Sequence, residues 1–113
     1  MASAVETVWL ALPDIADRWD VKVSQVRRLI EDRALLARRV DGVLRVPEVF
    51  LGQDEPLREL KGTIILLGDS GFDDDGTIDW LLTPEESIGV APIEALRAGR
   101  KAEVRRVAQA LAL

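Results

Sequence analysis

Three polar side chains occupy positions that a helix over residues 22–32 would turn to one face. They are Ser24, Gln25 and Arg28. The apolar residues of the same segment recur at helical spacing and predict a buried stripe opposite. They are Val23, Val26, Leu29 and Ile30. Glutamine and arginine can form paired hydrogen bonds with the edges of adenine and guanine. The chemistry of this face is therefore base recognition, with Ser24, Gln25 and Arg28 as candidate base contacts.

A predicted hairpin after this helix carries several cations. Asp41-Gly42 lies among β-branched residues and favours a two-residue type I′ turn, with a wing over residues 37–46. With that turn Arg38 lies directly opposite Arg45, and like charges in this position destabilise a sheet. A phosphate nearby would relieve the repulsion. The alternative is that both side chains extend into water and are screened by Asp41 or Glu48.

Phosphate contacts position a protein on a duplex without reading its sequence. The cations beside the predicted helix face and on the wing are suited to that role. We therefore predict five phosphate contacts: Lys22, Arg27, Arg38, Arg39 and Arg45. The alternative for the helix is an ordinary solvated polar face on a helical hairpin.

Catalysis is not expected from the composition. The chain has no histidine and no cysteine, which excludes imidazole bases, thiol nucleophiles and the usual transition-metal ligands. The segment Asp73-Asp74-Asp75-Gly76 resembles part of a calcium-binding loop. When Gly76 is aligned with the glycine of that loop, however, Leu82 falls at the final position, where a bidentate glutamate is required. We predict a protein that is not an enzyme and has no cofactor and no metal site.

The net charge of −5 taken alone argues against a nucleic-acid partner. The charge is unevenly distributed, however. Residues 18–45 carry eight basic and four acidic side chains, whereas residues 51–96 carry two basic and eleven acidic ones. Residues 97–113 are basic again, with five basic side chains and one acidic. The average therefore conceals two basic segments around an acidic middle, which should repel DNA on its own side.

The elements that must position these residues follow from periodicity and turn signals. The first unit has a helix over 13–19, the helix over 22–32 and the hairpin. The second unit has predicted helices over 57–67, after Asp73 up to Leu82, from Pro92 to Gly99, and over 101–113. We predict a mainly α fold with a small β-hairpin, in which a winged helix-turn-helix precedes a C-terminal helical module. The predicted domains are a tail (1–8), the winged domain (9–50), a linker (51–56) and the helical module (57–113).

No targeting or membrane signal is apparent. Met1 to Glu6 lacks the basic and apolar regions of a signal peptide. The uninterrupted apolar runs, such as Ile64 to Leu67, are far shorter than a membrane span. We expect a cytoplasmic protein.

Three segments of the first unit resemble the MerR/excisionase type of winged helix-turn-helix. They are Leu12-Pro13-Asp14-Ile15-Ala16-Asp17-Arg18-Trp19-Asp20-Val21, Ser24-Gln25-Val26-Arg27-Arg28 and Arg39-Val40-Asp41-Gly42-Val43-Leu44-Arg45. Two positions depart from that pattern. Asp20 stands where the family usually has glycine, and Lys22 stands where a helix-capping serine or threonine is common. The resemblance implies binding to double-stranded DNA.

Most of the chain, over residues 9–113, is similar to a group of small actinobacterial winged-helix DNA-binding proteins. A mycobacterial member of that group is a serine/threonine-kinase substrate. The resemblance therefore implies that Ser3 or Thr7 in the predicted tail could be a phosphorylation site.

The C-terminal part resembles the corresponding segment of Xre/ParS-type antitoxins. The similar residues are Trp80-Leu81-Leu82-Thr83-Pro84, Gly89, Pro92-Ile93-Glu94-Ala95-Leu96, Gly99, Val104, Val107 and Leu111. In that family the segment supports oligomerisation and toxin contact. The simpler alternative is a helical module that only covers the apolar side of the winged domain.

The sequence thus predicts a DNA-binding protein, either a transcriptional regulator or a nucleoid-type factor, with helix 22–32 in the major groove and the wing on the backbone. Two alternatives stay open. One is an antitoxin-type protein-interaction or self-association module that uses the C-terminal helices. The other is an excisionase-like architectural factor.

Overall fold

The computed structural model describes residues 7–111 of the chain. Within them, the chain forms six α-helices and one small three-stranded antiparallel sheet. In chain order the elements are β1 (Trp9–Ala11), α1 (Leu12–Trp19), α2 (Val23–Glu31), β2 (Arg38–Val40), β3 (Val43–Pro47), a 3₁₀ turn (Glu48–Phe50), α3 (Leu60–Asp69), α4 (Asp74–Leu82), α5 (Pro92–Arg97) and α6 (Lys101–Ala110).

Helices α1 and α2 form the helix-turn-helix unit. Pro13 lies in the first turn of α1, where its missing N–H costs no hydrogen bond. Asp20 ends α1 in the left-handed conformation, with φ 54° and ψ 50°. Aspartate tolerates this conformation better than most residues, so it can replace the glycine common at such turns. Val26 of α2 is fully buried, and the rest of the predicted stripe is partly buried in the same core.

The sheet has one more strand than the sequence predicts. β1 pairs antiparallel with β3, and the strand order is β1-β3-β2. The hairpin register is as predicted, with Arg38 opposite Arg45 and Val40 opposite Val43. Side chains alternate between the two faces of a strand, so Trp9, Arg38 and Arg45 share one face. Val46, which is fully buried, points to the other.

The segment between the two halves is a closed turn rather than an open connection. Leu51 pairs with Pro56, and the Gly52 N–H donates to the Glu55 carbonyl at 2.7 Å. A Cβ on Gly52 would lie 2.8 Å from that carbonyl oxygen, so the turn requires glycine. The Leu57 N–H donates to the Phe50 carbonyl. The prediction that α3 starts at Leu57 is therefore wrong, because this bond holds Leu57 in the turn.

The remaining helices begin close to their predicted positions. Asp73 caps α4, because its Oδ1 accepts from the Gly76 N–H at 2.7 Å. Pro92 opens α5, and Gly99, with φ 81°, separates it from α6. α6 begins at Lys101 as predicted and extends to Ala110. The predicted end at Leu113 lies outside the described residues.

One hydrophobic core joins the two halves. Its buried members come from every helix, from β3 and from the 3₁₀ turn. Examples are Ile15, Phe50, Ile64, Ile93 and Val104. Arg97 of α5 strengthens the junction, since its Nη1 donates to the carbonyls of Val49 and Leu51 at 3.2 and 2.9 Å. None of the helices described is long and apolar enough to cross a membrane.

Candidate nucleic-acid interface

The polar face of α2 is open to solvent. Ser24, Gln25, Arg27 and Arg28 are all exposed, while Val26 between them is completely buried. The helix therefore separates its apolar and polar faces as predicted. Lys22 precedes the helix as its N-cap residue in an extended conformation and is exposed as well. The N-terminal turn of α2 thus presents both candidate base contacts and candidate phosphate contacts on one accessible surface.

Gln25 has a second role at this end of the helix. Its Oε1 accepts a hydrogen bond from the Lys22 backbone N–H at 2.8 Å. This bond satisfies the backbone amide of the N-cap residue, which is the half of a capping box that the residue at position N3 supplies. The side-chain NH₂ stays available to donate. A bidentate contact with adenine would have to share the carbonyl oxygen between the cap and the base.

The wing turn has the predicted backbone. Asp41 and Gly42 both have positive φ angles, 53° and 80°, as a type I′ turn requires. Arg39 is exposed and its Nη1 donates to the Gly42 carbonyl at 3.3 Å, which holds the guanidinium beside the turn. Arg45 is partly buried on β3. The wing therefore keeps Arg39 at its tip and Arg45 nearer its base.

Arg38 has partners other than the expected phosphate. Its Nε donates to Asp75 at 2.9 Å and its Nη2 to Asp79 at 2.8 Å. Both carboxylates belong to α4. The repulsion between Arg38 and Arg45 is thus relieved within the protein, and neither a DNA phosphate nor the alternative pair of Asp41 and Glu48 is needed for it. Asp75 and Asp79 were missed as partners, although their i, i+4 spacing in the acidic segment places them on one helix face.

Arg38, Asp75, Asp79 and Trp9 together form what we call the Arg38 cluster. The guanidinium carbon lies 5.4 Å from the centre of the Trp9 ring, within range of a cation–π contact. Partial burial disfavours the charged guanidinium, but the hydrogen bonds to Asp79 and Asp75 outweigh it and raise the pKa of Arg38. Arg33 adds a parallel ion pair to Asp74 at 2.9 Å. The acidic start of α4 is therefore fixed to the winged half.

Removing Arg38 is expected to destabilise the fold modestly and in a salt-dependent manner. Arg38→Ala loses two ion pairs and the Trp9 contact, together worth about 1–2 kcal/mol. The matched control is Arg45→Ala, because Arg45 lies opposite Arg38 and forms no ion pair with residues 7–111. Urea denaturation should show a larger loss for Arg38→Ala, and high salt should remove most of the difference. Equal losses for both variants would contradict this role.

Two family models match the chain on either side of the connecting turn. One, described as "DNA-binding protein Rv2175c, wHTH domain", matches residues 3–51. The other, described as "Rv2175c C-terminal domain of unknown function", matches residues 57–112. The chain belongs to the Rv2175c family. The Rv2175c family assignment confirms the predicted winged helix-turn-helix with a C-terminal helical part, and it agrees with the predicted likeness to a mycobacterial DNA-binding protein.

Individual members of the Rv2175c family are similar over nearly the whole chain. The DNA-binding protein Rv2175c of Mycobacterium tuberculosis strain ATCC 25618 / H37Rv is 32% identical over 114 residues, which span 89% of this chain and 78% of that protein. The NMR structure of Rv2175c superposes with a TM-score of 0.85 at 28% identity, and it covers 99% of this chain and 87% of the other. The fold of the Rv2175c family thus extends through both halves described above.

Proposed function

We propose that this chain is a non-enzymatic DNA-binding protein that regulates transcription. The observation that carries the proposal is the exposed polar face of α2 within a winged helix-turn-helix of the Rv2175c family. In this architecture the N-terminal part of the second helix enters the major groove. Ser24 and Gln25 lie in the first turn of α2, and Arg28 lies further along the same exposed face. We propose these three residues as the contacts to base edges.

The proposed backbone contacts surround this face. Lys22 and Arg27 lie on α2 or at its start, and Arg39 and Arg45 lie on the wing, as in MerR-like docking. Arg38, the fifth candidate, is left out of this proposal because its Nε and Nη2 donate to Asp75 and Asp79. The acidic α4 behind the wing disfavours DNA on that side, so it orients the protein on the duplex and limits affinity for random sequence.

The salt dependence of binding to random duplex tests the proposal. Four phosphate contacts predict a log–log slope of about −3.6 between affinity and salt concentration. Replacing Arg39 and Arg45 together with alanine should make this log–log slope shallower by about 2 units. Fluorescence anisotropy of a labelled duplex at several salt concentrations measures the slope.

The control removes positive charge elsewhere on the protein. Arg105 and Arg106 are exposed on α6, outside the proposed interface, and their double alanine variant changes the net charge by the same amount. That variant should keep the original slope. Absence of binding at low salt, or equal slopes for both double variants, would overturn the proposal.

The proposal extends to cellular context. We place the protein in the cytoplasm with the chromosome, and we propose phosphorylation by a serine/threonine kinase near the N-terminus as its regulation. Ser3 lies outside the described residues. Thr7 is partly exposed just before β1. A phosphate there would add negative charge to the winged half and weaken attraction to DNA.

A further inference from the structure

Helix α3 has one face that packs in the core and one that is exposed among the described residues. The residues Leu60, Thr63, Ile64 and Leu67 are buried, and α3 packs against α4 and α6. The five exposed residues of the helix follow a single stripe along the opposite side. They are Lys61, Gly62, Ile65, Gly68 and Asp69. Ile65 at the centre is 45% exposed.

The stripe is symmetric about Ile65 in its chemistry. Gly62 and Gly68 lie three residues before and after it. Lys61 and Asp69 lie four residues before and after it, with opposite charges. Neither of these charged residues forms an ion pair within the part of the chain that the structure describes. A helix face with an apolar residue at its centre and opposite charges at equal distances before and after it is complementary to an antiparallel copy of itself.

The two glycines have no role inside the protein that explains them. Glycine within a helix lowers stability relative to alanine. Neither has a positive φ angle. A Cβ on Gly62 would lie 3.9 Å from the Arg105 Nη2, and one on Gly68 would lie 3.7 Å from the Arg33 Nη2, both ordinary contacts. The fold thus accepts alanine at either position, and what the glycines provide is close approach from outside.

We infer that this face of α3 binds the same face of a second copy, with the two α3 helices antiparallel across a two-fold axis at Ile65. In such a pairing each residue before the axis meets one at the same distance after it on the other copy. Lys61 then lies beside Asp69 of the second copy, and Asp69 beside its Lys61. Ile65 meets its own equivalent, and the glycines let the helix backbones approach closely.

Shallow clefts on both sides of the stripe leave room for the second copy. One, of about 700 Å³, lies beside Ile65 towards Arg33 and the acidic residues at the start of α4. The other, of about 370 Å³, lies beside Ile65 towards Arg105 and Gln109. The two clefts leave the stripe accessible from outside, and the opposite charges of Lys61 and Asp69 favour a second copy over an unrelated partner.

Sedimentation velocity of the full chain without DNA tests the pairing. As concentration rises, the mass should move from 12.5 kDa towards twice that value. Lys61→Asp and Asp69→Lys should each abolish the shift, because each places like charges opposite one another. Mixing these two variants should restore the shift, and so should combining both substitutions in one chain. A wild type that stays monomeric at its highest soluble concentration would overturn the inference, as would single variants that associate normally.

Glycine variants separate association from folding. Gly62→Ala and Gly68→Ala should raise the Tm at low concentration, because they improve helix propensity, and yet weaken association. Ile65→Asp should abolish association, whereas Val8→Asp, at another exposed apolar residue, should not. A lower Tm with unchanged association in both glycine variants would contradict the pairing. Because DNA is absent, these outcomes are independent of the proposed DNA binding.

Discussion

Replacing Arg28 with lysine is expected to weaken binding to the preferred duplex about 10- to 100-fold, because a lost bidentate guanine contact costs about 1–3 kcal/mol. Arg28 lies on the exposed face of α2, in its last turn, and its guanidinium forms no ion pair with any described residue. It is therefore free to meet a base edge. Lysine keeps the charge but loses the planar fork.

The measurement compares specific and random duplexes. The preferred sequence is first selected from a random pool with the full chain, and affinities for it and for random duplex are then measured at one salt concentration. Arg28→Lys should lose discrimination and keep its affinity for random sequence. Arg27→Ala, one residue along, should lower both affinities together, as expected for a phosphate contact. Unchanged discrimination in Arg28→Lys would show that Arg28 reads no base.

Replacing Phe50 with alanine is expected to destabilise the whole chain by about 3–5 kcal/mol, the usual cost of removing a fully buried aromatic ring. Phe50 has no exposed surface and lies in the core that both halves share. Its carbonyl also accepts the Leu57 N–H that closes the connecting turn. The loss is a large part of the total stability of a domain this size, about 5–15 kcal/mol.

Two probes should report the same transition in urea. Tryptophan fluorescence follows Trp9 on β1, Trp19 on α1 and Trp80 on α4, and far-UV circular dichroism follows all helices. Both curves should shift equally to lower urea in Phe50→Ala. The half-buried neighbour provides the control, since Val49→Ala removes less buried surface and should cost much less. Separate transitions for the two probes would contradict a shared core.

Local patterns in the sequence predict a large part of this fold. The apolar stripe of α2 repeats at helical spacing, so its buried and exposed sides could be assigned without a structure. Asp41-Gly42 favours one turn type, and that turn alone determines which hairpin residues lie opposite each other. Asp73 precedes its helix at the capping position. In each case the deciding interaction joins residues only a few positions apart.

The missed features depend on distant partners. β1 has three residues and no alternation to detect, and it exists because β3 offers a free edge some 35 residues later. α3 begins at Leu60 rather than at Leu57, because the Leu57 N–H donates a hydrogen bond to the Phe50 carbonyl. In the candidate site, too, some features follow from local sequence and others depend on distant residues. Exposure of Ser24, Gln25 and Arg28 follows from one helix, whereas the partners of Arg38 come from α4, and no local pattern gives the distance between them.

The shared core also bears on how this family can change over time. Phe50, the Arg97 bonds to the connecting turn and the Arg38 cluster all cross from one half to the other. Recombination therefore cannot transfer the winged half to another protein without breaking these contacts. A chimera that joins it to a foreign C-terminal half would expose apolar surface and leave Arg38 without its carboxylates. New binding specificities are more accessible by substitution on the outer face of α2, where no residue of the other half depends on the side chain.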